Sequence, residues 1–174
     1  MLTDNEKIVF LSRLPAEELA LKAKQDPTDS VVDSVLITRV KNLSYCLRDW
    51  IFPLPLENRK QIIQCIQQGI QQQTPDFYEQ LKQVSLPAYQ AQSAGLQEMY
   101  LRVLKKFSIL APVNLDDKKR QFFSFFCEHL EHNALVDRMD EQRQKQLDTQ
   151  PRKATEFEKG MEIYRKNTSL FPHL

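Results

Sequence analysis

An all-α fold is what this sequence predicts: a compact bundle of about seven to eight helices, with short proline-punctuated loops and essentially no β-sheet. Three observations carry that expectation. Nine prolines divide the 174 residues, and the segments between them repeat apolar residues every three or four positions, as one buried helical stripe requires. No run alternates apolar and polar residues between Asn-Gly or Asp-Gly turns, as a hairpin would. Glycine occurs three times, where average usage is roughly 7%.

The helices follow in order. Thr3-x-x-Glu6 is a capping box opening a first helix with Ile8, Val9, Leu11 and Leu14. Pro15 stands at the first position of a second, which stops at Asp26-Pro27. From about Thr28, Val32, Leu36, Leu43, Leu47 and Trp50 keep one face of a long third helix apolar until Pro53. A fourth runs from about Leu56 to Gln73, with Ile62, Ile63, Ile66 and Ile70 inward and glutamines outward. Thr74-Pro75 reads as an N-cap and N1 pair starting a short helix with Phe77, Tyr78 and Leu81. Pro87 opens the next, with Met99, Val103 or Leu104, and Phe107 as its buried stripe, closing at Ala111-Pro112. Asn114 caps the helix that holds FFSFFCEHLEH, and Asp116 and Asp117 suit its N-terminal dipole.

Composition shifts once. Residues 140–153 contain a single aliphatic side chain, Leu147, so they cannot bury a face. The expected organisation is a bundle domain over 1–139. Residues 140–174 follow as a charged extension or linker, a short amphipathic helix with its own capping box at Thr155-x-x-Glu158, and a tail.

Totals exclude several function classes. With 24 basic and 23 acidic side chains the net charge is +1, which argues against a polyanion-binding role. The basic group Lys118, Lys119 and Arg120 is offset by Asp116 and Asp117. Phosphate loops, dinucleotide turns and nucleophile elbows all need glycine, so its scarcity argues against nucleotide cofactors and small-molecule substrates. No stretch approaches the roughly 18 apolar residues of a membrane span, and Asp4 and Glu6 occupy the place of a leader's basic region. Three widely spaced cysteines, Cys46, Cys65 and Cys127, suit reduced thiols in a cytoplasm.

FFSFFCEHLEH, residues 122–132, holds two of the three histidines. A metalloenzyme using Glu128, His129 and His132 is the alternative it raises. Zinc proteases space their histidines four apart, whereas His129 and His132 are three apart. Cys127 and His129, two apart, point about 200° from each other on a helix and cannot pair directly. Continued through Asn133, the helix sets His129, Asn133 and Asp137 at the edge of the arc of Phe122, Phe123, Phe126, Leu130 and Ala134. That makes His129 a core-edge residue bonded to Asn133 or a backbone carbonyl. No cofactor, metal or catalytic residue is expected.

What remains is partner binding. Phe125 projects outside its neighbours' arc and, with Leu135 and Met139, would form an exposed apolar patch. Trp50 and Phe52, in RDWIFPLPLE, either cover the bundle end or offer an anchor. Phe157, Met161 and Tyr164 line one side of the last helix. The sequence therefore predicts a non-enzymatic module, an adaptor, chaperone or regulatory inhibitor, whose partner is another protein.

The C-terminus adds a second reading. Glu156, Glu158 and Glu162, followed by a small-polar stretch and the apolar LFPHL end, resemble the acidic translocation signals of bacterial type IV secreted effectors. That resemblance covers about the last 20 residues and implies delivery into a host cytosol.

Overall fold

In the computed structural model, which describes residues 1–149, the chain is all-α. The helices are α1 (Asp4–Ser12), α2 (Ala16–Gln25), α3 (Ser30–Ile51), α4 (Leu56–Gln72), α5 (Phe77–Val84), α6 (Leu86–Gln90), α7 (Ala94–Leu110), α8 (Asp117–Glu131) and α9 (Ala134–Asp148). No strand occurs among the described residues. Contacts divide the chain into two units, Met1–Asn133 and Ala134–Leu174. The boundary drawn from composition, at 139/140, lies within α9.

In the first unit α3 packs against α1, α2, α7 and α8, while α4 packs against α5 and α8. The core follows the apolar periodicity. Val32, Leu36 and Leu47 of α3 are buried together with Ile62, Ile63, Ile66 and Ile70 of α4 and Phe123, Phe126 and Leu130 of α8. The N-terminal ends of α1 and α3 are each capped by a side chain. Thr3 and Glu6 form the reciprocal capping box, and Asp29 accepts from the backbone N–H groups of Val31 and Val32 at 3.0 and 3.3 Å. Lys7 also pairs with Asp29, tying α1 to the start of α3.

Several local expectations are corrected. The N-cap of α8 is Asp116, which accepts from Lys119 N–H at 2.8 Å. Asn114 instead takes a left-handed φ of 47° and donates its side-chain N–H to Ala23 of α2. α5 begins at Phe77 rather than at Thr74-Pro75, because Phe77 N–H closes a turn on the Thr74 carbonyl. The segment after Pro87 is two helices, not one: α6 is little over a turn, and α7 restarts at Ala94 behind Ser93. On α7 Leu104 and Phe107 are buried as expected, but Tyr100 takes the inward place expected of Met99, which is exposed.

The helix of FFSFFCEHLEH also ends early, at Glu131, with His132 non-helical (ψ 87°). Its cause is Arg59, a fully buried residue of α4. Arg59 Nη1 donates to the carbonyl oxygens of Leu130 and Glu131, both at 2.8 Å, and Nε donates to Leu54 at 2.8 Å. A helix end leaves carbonyls without intrahelical partners, and a cation there also meets the negative end of the dipole. Arg59 thus supplies donors that a continuing helix would have supplied. Asn133, freed from the helix, donates to the Phe52 carbonyl at 2.8 Å.

The second unit is described through Thr149. α9 buries none of its residues, and Leu135, Met139 and Leu147 on it are exposed. Phe157, Met161, Tyr164, the Thr155 capping box and the acidic tail lie outside the described residues.

Candidate functional site

Two features of the first unit could meet a ligand: an apolar face on α1, and a slot between α4 and α8.

α1 is apolar on both sides. Leu11 is its single buried residue, while Ile8, Val9 and Phe10 are 39%, 50% and 50% exposed. The cause is local. At 100° per residue four consecutive apolar positions, 8 to 11, circle the helix, so only part can turn to the core. Lys22 of α2 sets its ammonium 5.9 Å from the Phe10 ring centroid, bordering this face with a cation–π contact. The sequence carried this signal as an unbroken IVFL run, which the one-stripe reading passed over.

The α4–α8 slot is a half-open depression of about 400 Å³. Its floor is Ile66, Ile70, Phe123 and Cys127, all buried, and its rim is the half-buried Leu115 with Gln67, Gln71, Arg120 and Ser124, all exposed. Burial pushes the Cys127 thiol up to about 12 and the Cys65 thiol to about 11. Both are therefore neutral at ordinary pH, and neither is an activated nucleophile.

Of the sequence-predicted residues, Trp50 and Phe52 are half-buried against the core. Trp50 packs on Tyr100, ring centroids 4.9 Å apart, and Phe52 stacks on His129 at 5.1 Å with 13° between planes. The structure thus brings Phe52, His129 and Asn133 together at the α8 terminus, where Asn133 bonds to Phe52 rather than to His129. Phe125 is 72% exposed. Leu135 and Met139 are exposed on α9, in the other unit. Among the described residues no group of three or more His, Cys, Asp or Glu side chains could hold a metal ion, so Glu128, His129 and His132 are not gathered into one. Lys119, part of the suspected basic group, is turned inward, with its ammonium on Asp33 and on the Asn114 carbonyl at 2.9 Å. No helix among them is long and apolar enough to cross a membrane.

Compared with known protein families, curated proteins and solved structures, the chain matches none.

Proposed function

We propose that this chain is a non-enzymatic helical module that binds another protein, and that the outer face of α1 seats the partner. The observation that supports this reading is the exposure of Ile8, Val9 and Phe10 on a helix that buries only Leu11. Contiguous exposed apolar surface on a folded unit usually marks a docking site, and an aromatic flanked by aliphatic residues is a good anchor for one. Phe125, more exposed still, stands alone among its described neighbours on α8 and is a secondary contact at most.

The same face explains why α1 is pinned so firmly. Its capping box fixes the start of the helix and the Lys7–Asp29 pair ties it to the start of α3, so the apolar residues are presented on a fixed scaffold, which lowers the ordering cost of association. A photo-crosslinking side chain placed at Phe10 of the full chain, in the cell that makes it, tests the reading. A discrete crosslinked heteromer is expected; crosslinking only to a second copy, or to nothing, contradicts it.

A further inference from the structure

We propose that the groove between α3 and α8 docks a short acidic amphipathic helix of another protein, with Phe125 as the aromatic anchor. This third surface shares no residue with the α1 face or the α4–α8 depression. Phe125 is peripheral to a partner seated on α1; its own neighbours lie across the groove, on α3.

α3 and α8 lie side by side and run in the same direction. The Lys119–Asp33 pair joins their starts. Further along, the Lys41 ammonium sits 5.6 Å from the Phe122 ring centroid, and at their ends Phe52 stacks on His129. On α3, Lys41, Tyr45, Arg48 and the capping Phe52 follow at spacings of four, three and four, which is one face of a helix. On α8, Lys118, Phe122, Phe125 and His129 repeat that spacing. The Lys41–Phe122 and Phe52–His129 contacts turn the two rows toward each other. Tyr45, Arg48 and Phe125 fall between those contacts, so they border one groove.

The groove is open to solvent. Tyr45 and Phe125 are exposed, as are Lys41, Lys118 and His129, while the half-buried Phe122 and Phe52 form its floor. An exposed apolar strip rimmed by polar groups is the usual form of a docking site. From Lys41 to Phe52 it runs about 16 Å at the helical rise, room for about three turns of a partner helix.

Charge selects the partner. Neither row carries an acid. Lys41 and Lys118 enter no ion pair among the described residues, and the neighbouring Asp49 is already held by Arg48 at 3.3 Å. A second copy would set the same cations against these, so like charges oppose self-pairing. A single-stranded nucleic acid stacks successive bases on open ring faces. Here Lys41 and the stacked Phe126 flank Phe122, and Arg48 lies 5.3 Å from the Tyr45 centroid. Carboxylates reach the ammonium groups and leave those pairs in place. Apolar side chains of the same helix then pack beside the Phe125 ring, above Phe122.

The test is fluorescence anisotropy of a labelled peptide of about three helical turns, leucines on one face and glutamates on the other, titrated with the full chain. Saturable binding is expected, weakening as salt is raised. Phe125→Ser and, separately, Lys41→Glu/Lys118→Glu should each raise Kd at least about tenfold. Both replace exposed side chains, so melting is expected to stay close to the wild type. Val9→Ser/Phe10→Ser, on α1, should leave this Kd unchanged. The charge-reversed variant should instead gain affinity for the same peptide with lysines in place of glutamates. No saturable binding, equal binding of the lysine peptide by the wild-type chain, or indifference to either α3–α8 variant each overturns the proposal. So does tighter binding of a thymidine oligonucleotide or of anionic lipid vesicles through Phe125, or a dimer that Phe125→Ser disperses.

Discussion

Arg59 donates to the carbonyl oxygen of Leu130 at 2.8 Å, across 71 residues of chain. The same guanidinium holds Glu131 and Leu54, so one buried side chain joins the start of α4, the α3–α4 loop and the end of α8. Removing it strands the buried Leu130 carbonyl and the part-buried carbonyls of Leu54 and Glu131. Arg59→Ala should cost about 3 kcal/mol or more, since each buried unsatisfied group costs about 1–3 kcal/mol. Denaturant unfolding measures the loss. Arg59→Lys should recover only part of it, because one ammonium cannot span acceptors on two elements as a planar fork does.

This contact also shows where the sequence was legible and where it was not. Apolar spacing located the helices and most of the core: Ile62, Ile63, Ile66 and Ile70 are buried as predicted. It did not locate the buried cations, although both had a signal. Arg59 lies three and four residues before Ile62 and Ile63, and Lys119 lies four before Phe123, so each occupies the next position of its own apolar stripe. The end of α8 was illegible for a different reason. No proline or glycine marks residues 132–133, and the break is made by a side chain from another helix. Of the two candidate sites, the α1 face was visible as IVFL, but the α4–α8 depression was not. It depends on how α4 and α8 pack, which no single-helix pattern records.

Glycine supplies a paired prediction. A Cβ on Gly69 of α4 would overlap the ring of Phe77, whereas one on Gly95 of α7 meets nothing. Gly69→Ala should therefore destabilise by about 1–3 kcal/mol through overpacking. Gly95→Ala should stabilise by about 0.5 kcal/mol by restricting the unfolded chain. Melting curves of the two variants, compared with the wild type, should move in opposite directions.

The thiols predict both reactivity and a pH dependence. Cys46 is exposed while Cys65 and Cys127 are buried, so a thiol reagent should modify one cysteine in the native chain and three on unfolding. Burial holds the Cys127 pKa near 12, above its ordinary value of 9.0. The folded state then retains a proton that the unfolded state releases. Stability is fully present below about pH 9 and falls as pH rises towards 12, by up to about 1.4 kcal/mol per pH unit for this thiol. Cys127→Ala should lower stability at neutral pH yet flatten the alkaline decline. Urea midpoints between pH 8 and 11 record both.

The claim that α1 is a docking face is tested most directly by affinity. The protein crosslinked through position 10 is purified and titrated with the wild-type chain and with the Val9→Ser/Phe10→Ser variant. Loss of an apolar anchor pair should raise Kd by roughly thirtyfold, the scale of an interface hot spot, while both half-exposed positions leave the melting temperature within a few degrees. An unchanged Kd at unchanged stability would contradict the account.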